Sequence, residues 1–81
     1  MSQPLQWFTD GGHGWLRVAL DDLDGFQPSQ YSYRDYGQFA FLEEDCDALG
    51  WADHTGRLEE AKVAPVSHTD GYSFVRNLPS F

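Results

Sequence analysis

Two short runs of alternating side chains carry the clearest structural signal in the chain. In "GWLRVA", Trp15, Leu16 and Val18 form an apolar series broken by Arg17, which predicts a strand over residues 14–19. "QFAFLE" predicts a second strand, with Phe39 and Phe41 on one face and Ala40 and Leu42 on the other. Between them lies "LDDLDGF", where Leu20, Leu23 and Phe26 recur every third residue with Gly25 as a stop. That spacing predicts a helix of about two turns with its carboxylates outward. From Asp45, a plausible N-cap, Cys46, Leu49 and Ala52 fall at helical spacing; Gly50 weakens this second helix and Gly56 ends it. Residues 60–67 give a third candidate strand, and Pro65 assigns it to an edge or a bulge. The remainder reads as loop. Residues 1–14 end in "DGGHG", "QPSQYSYRDYGQ" is rich in turn formers, and "TDGYSFVRNLPSF" is a turn followed by a short tail.

This order predicts one α+β domain over residues 1–81. A small three-stranded antiparallel sheet would carry two short helices on one face. Trp15, Leu16, Val18, Leu20, Leu23, Phe39, Phe41, Leu49 and Val63 form the expected core. A chain of 81 residues buries only about 60% of its unfolded surface, and an aromatic content of 16% partly offsets so thin a core.

Charge changes the picture more than size does. Thirteen acids against five bases give a net charge of −8, and residues 21–60 hold eleven of the acids with only two bases. Such a chain repels nucleic acid and anionic membranes and attracts basic surfaces. The single cysteine cannot form an internal disulfide and fits a reducing compartment. "MSQPLQWF" lacks the basic start and apolar run of a signal peptide, and no stretch approaches the ~20 apolar residues of a membrane span. The expectation is a cytoplasmic protein with no membrane contact, no direct nucleic-acid contact, and a monomeric or weakly dimeric state.

"FLEEDCDA" concentrates the candidate chemistry, because four carboxylates surround Cys46. Together with His13, His54 and His68, Cys46 could supply metal ligands, but paired spacings such as C-x-x-C or H-x-x-x-H are absent, and no calcium loop is formed. A nucleophilic thiol needs a depressed pKa, which carboxylate neighbours oppose, so Cys46 is expected to be a small buried side chain on the inner face of its helix. No metal, cofactor or catalytic residue is therefore assigned. The reading from charge is a recognition surface made of Asp21, Asp22, Asp24, Asp35, Glu43, Glu44, Asp45, Asp47 and Asp53. Carboxylates three or four apart on a helix stand about 5–6 Å from one another. Duplex DNA carries a phosphate charge every ~3.4 Å along each strand, so a double row of such acids could imitate it. Acids that merely favour a helix start, or keep the surface solvated, explain part of the same pattern. Tyr31, Tyr33 and Tyr36 beside them suit either a core or a protein interface.

The segments "HGWLRVAL", "YSYRD", "FLEEDCDA" and "HTDGYSFVR" resemble a family of small uncharacterised proteins carried by phages, plasmids and integrated elements. Members of that family run HGW-x-x-V, YSY, YLEEDCDA and H-T-DG-x-S-x-IR in this order. Here Phe41 stands where the family has Tyr, and the helix after Ala48 looks interrupted by Gly50. The resemblance implies a mobile-element setting. In such a setting small acidic proteins suggest inhibitors of host defence of the anti-CRISPR type, which act as DNA mimics on a basic nucleic-acid-binding partner such as a CRISPR effector. The alternative is a small thiol- or metal-dependent accessory enzyme centred on Cys46 and the histidines.

Overall fold

The computed structural model describes residues 4–81. The part of the expected leading loop that falls on residues 1–3 lies outside the described residues. Five strands are present: β1 (Gln6–Thr9), β2 (Gly14–Ala19), β3 (Tyr33–Arg34), β4 (Phe39–Glu43) and β5 (Val66–His68). They form one mixed sheet in the order β3-β4-β2-β1-β5, in which only β1 and β5 run parallel. This corrects the three-stranded antiparallel sheet. β2 and β4 stand where the alternation put them, but β1 and β3 come from segments read as loop.

The helices differ from expectation as well. Residues Leu20–Asp22 make one 3-10 turn, and Asp24 then takes a left-handed φ of 54°, so no two-turn helix forms. A π-helical turn, Glu44–Ala48, runs directly into α1 (Leu49–Thr55), so that 12 residues wind as one helix through Gly50. The capping residue is Glu43 rather than Asp45: its carboxylate accepts the backbone N–H of Asp45 at 2.9 and 3.2 Å. Gly56, with φ 73°, closes α1 in the left-handed conformation that glycine adopts without strain. The first half of the expected third strand is instead α2 (Leu58–Val63), and Pro65 separates it from β5, which takes in the end of that stretch. Leu58 and Ala61 lie three apart and turn toward the interior, which is helical spacing.

Both faces of the sheet are covered. On one face Leu16, Val18, Ala40 and Leu42 pack with Leu5, Ala48, Trp51, Ala52 and Ala61, so the helices close this side. Trp51 is fully buried, and its indole donates to the Asp22 carbonyl at 2.9 Å, which fastens the 3-10 turn to the helix. On the other face Trp15, Phe41 and Val75 pack with Phe8, Tyr33, Phe39 and Leu78, closed by the C-terminal 3-10 turn Phe74–Asn77. Phe41 meets the rings of Phe8 and Phe74 edge-on at 5.8 and 5.6 Å. Burying each such side chain contributes about 1.5–3 kcal/mol. Of the expected core, Trp15, Leu16, Val18 and Phe41 are buried, and Leu20, Leu23 and Phe39 are half-buried. Leu49 and Val63 are exposed, at 49% and 80%, because the helix registers turn them outward. Among the described residues no helix is long and apolar enough to cross a membrane.

Candidate functional site

The four sequence segments singled out above converge on one cleft of about 270 Å³ at the start of the long helix. Trp15 of β2 and Glu43 of β4 are cross-strand partners, so their side chains emerge side by side on the aromatic face. Tyr31 and Tyr33 flank Ser32 and reach the same cleft from the β3 side; the rings of Tyr33 and Trp15 meet edge-on at 6.1 Å. Asp45 and Cys46 come from the first helical turn, His13 from the loop before β2, and Arg76 from the C-terminal turn. Gly14 leaves room for the Glu44 carboxylate: a Cβ there would meet its oxygen at 2.8 Å and make that flexible side chain swing away.

Two buried carboxylates hold this arrangement. Asp10, with a fully buried side chain, accepts the backbone N–H groups of Gly12 and His13 at 3.0 Å each and that of Ser73 at 3.0 Å. It also takes the Arg76 fork, Nε at 2.6 Å and Nη2 at 3.0 Å. The Arg76 guanidinium, followed by these backbone donors, holds the Asp10 carboxyl far below the usual carboxylate range. Asp10 in turn keeps Arg76 protonated by raising its pKa. Arg76 lies over the rings of Trp15 at 5.4 Å and Tyr72 at 4.9 Å. Asp47 is the second anchor. It accepts the backbone N–H and hydroxyl of Ser29 at 2.9 and 2.8 Å and the hydroxyl of Ser32. The Ser32 oxygen also accepts the Glu43 N–H at 2.9 Å, so one serine ties β4, the helix start and the tyrosine segment together.

The nine carboxylates expected to form one surface therefore divide. Glu43 and Asp47 are buried, Glu43 on the cleft wall capping the helix and Asp47 bonded inward, which removes both from an open outer face. Asp35 caps its own turn by accepting from Gln38 and Phe39 N–H at 2.7 and 2.8 Å. Asp22 pairs with Arg57 at 3.5 Å. Asp21, Asp24, Glu44, Asp45 and Asp53 are exposed. Asp24 and Asp53 are brought near the end of α1, where the His54 ring contacts the Asp24 carbonyl at 2.7 Å, whereas Glu44 and Asp45 sit at the opposite end of that helix.

Cys46 also departs from its expected place. It is exposed at the cleft, not buried on the inner face of the helix. Desolvation, then Glu43, Asp47 and Asp45, push its thiol above the ordinary value, which disfavours the thiolate that a nucleophile needs. Among the described residues no three His, Cys, Asp or Glu side chains gather closely enough to hold a metal ion. The residues that sequence reasoning passed over are Asp10, Ser32 and Arg76. Ser32 had a local signal, since period-2 alternation in "YSY" sets it opposite both tyrosines. Asp10 and Arg76 had none, being 66 residues apart. No family model, curated protein or solved structure matches this chain.

Proposed function

We propose that this chain is a binding protein rather than an enzyme, and that it presents exposed carboxylates to a basic, nucleic-acid-binding partner. The observation that carries this reading is the distribution of charge in the fold. Arg57 pairs with Asp22 and Glu60, Lys62 with Glu59, and Arg76 with Asp10. Asp21, Asp24, Glu44, Asp45 and Asp53 are exposed and enter no ion pair among the described residues. Most of the basic charge is thus spent on internal partners, and the excess acid faces solvent. Surfaces of this kind steer a protein toward Lys- and Arg-rich patches and set the register of docking. The resemblance to mobile-element proteins narrows the partner to a host defence complex of the CRISPR-effector kind, with the acids occupying its DNA-binding surface.

The contact residues in this reading are the five exposed acids, without Glu43 and Asp47. The experiment is capture from nuclease-treated host lysate on immobilised protein. Nucleic-acid-binding proteins should be retained, released by duplex DNA and by salt, and lost with the Asp21→Asn/Asp24→Asn/Asp53→Asn variant. Retention that ignores DNA, salt and the triple variant rejects the reading.

A further inference from the structure

We propose that the cleft at the start of the long helix is a receptor for one cationic side chain, an arginine or lysine presented on a peptide. The inference rests on the reading of the protein as a binder of basic partners, and it names what one residue of such a partner would enter.

Charge gives the sign of the ligand. Glu43 and Asp45 line the cleft, and among the described residues Arg76 is the one Lys or Arg on its wall. Arg76 directs its Nε and Nη2 to Asp10, so its charge is matched outside the cleft and not by these two acids. The Cys46 thiol is pushed up first by desolvation and then by Glu43, Asp47 and Asp45, in keeping with acids on this wall. The walls give the shape. Tyr31, exposed at 58%, and Tyr33 give the opening its aromatic surface over the buried Trp15, and a guanidinium or ammonium group is attracted to such faces while an adjacent carboxylate balances its charge. The protein already uses this chemistry at the same rings, with Arg76 over Trp15 at 5.4 Å.

Trp15 supplies a reporter on the cleft wall. Its indole N–H has no hydrogen-bond partner among the described residues and is closed to solvent, so a charge entering beside it shifts its resonance without bonding to it. The volume of about 270 Å³ falls just below the roughly 300 Å³ at which pockets for drug-sized ligands begin, so it suits a single side chain and not a nucleotide.

The test is an NMR titration of the folded protein with N-acetyl-arginine methylamide, its lysine counterpart, its neutral citrulline counterpart, and N-acetylglycinate as an anionic probe. Saturable shifts of the Trp15 indole N–H with either cationic probe support the proposal, and citrulline should bind at least about tenfold more weakly. Asp45→Asn, whose side chain is exposed, should weaken capped-arginine binding about tenfold without touching the fold, and Glu43→Gln should act in the same direction. Asp21→Asn/Asp24→Asn/Asp53→Asn should leave this titration unchanged, which separates the cleft from the outer acids. Citrulline or N-acetylglycinate binding as tightly as arginine would overturn the proposal. So would shifts that miss Trp15, or an Asp45→Asn variant that binds as the parent does. Lysate retention that ignores duplex DNA, salt and the triple variant, beside an intact cleft titration, would overturn the proposed function alone.

Discussion

Replacing Asp47 with Ala should destabilise this protein far more than replacing any of its exposed acids. One oxygen of Asp47 accepts from the Ser29 N–H, the Ser29 hydroxyl and the Ser32 hydroxyl. Hydrogen bonds to a charged group contribute about 1.5–3 kcal/mol each. Three bonds on one oxygen do not add, and the Ser29 loop relaxes partly into water, so the expected loss is about 3–5 kcal/mol, typical of breaking a buried polar network. Total stability for 81 residues is on the order of 4–12 kcal/mol, so the substitution removes about a quarter of it or more. With a urea slope of about 1–2 kcal/mol/M, the unfolding midpoint should fall by roughly 1.5 M or more. Asp47→Asn retains an oxygen acceptor and should fall by less, while Asp53→Asn should barely move. Urea titrations followed by circular dichroism and tryptophan fluorescence measure all three. A midpoint within about 0.5 M of the parent for Asp47→Ala, at unchanged slope, would refute the anchoring role.

Other expectations follow from the same network. Phe41→Ala removes a ring packed against Phe8 and Phe74 and should cost about 3–5 kcal/mol by urea denaturation; an unchanged midpoint would mean that the aromatic face is not a packed core. The Asp10 carboxyl is depressed in the folded state, chiefly by Arg76, so its contribution is present above the unfolded value of about 3.9 and is lost as pH falls below it. Stability measured from pH 7 to pH 2 should therefore drop at the acid end, and Asp10→Asn should flatten that drop; identical profiles would contradict the pairing. The raised Cys46 thiol should alkylate with iodoacetamide more slowly at pH 7 than a free cysteine does and catch up as pH rises, and equal rates at pH 7 would count against the negative environment of the cleft.

Central strands were legible in the sequence because each is covered on both faces and so carries apolar residues in both phases. β1 was not legible: only four residues long, it presents Trp7 and Phe8 side by side and gives way to the glycine-rich "DGGHG". Its partner β5 is three residues long and wholly exposed, held by backbone pairing that leaves no pattern in side chains. The run 60–63 was misassigned because Ala61 and Val63 alternate with Glu60 and Lys62 as in a strand, while the true signal was Leu58 and Ala61 at helical spacing. In the site, net charge alone could not distinguish inward from outward carboxylates. Periodicity could have done so. Glu43 continues the Phe39–Phe41 alternation onto the aromatic face, and Asp47 stands one helical turn before the buried Trp51. The Asp10–Arg76 pair remained hidden, since nothing local marks two residues whose only relation is through the folded sheet.

The parallel pairing of β1 with β5 and the clasp of Asp10 on Arg76 also impose an order of events on synthesis. Arg76 emerges 66 residues after Asp10, so at about 5–20 residues per second the carboxylate waits on the order of 3–13 s for its cation. The pairing of β2 with β4 and the helix that follows can assemble in that interval from residues already made. Until Phe74 and Val75 arrive, however, the ring of Phe41 and one side of Trp15 lack their cover. The nascent chain thus passes through a stage with a half-built sheet, an open strand edge at β1 and an uncovered aromatic face. Such a stage is prone to sticking to other chains, and its duration is set by how quickly synthesis moves from the helix to Arg76.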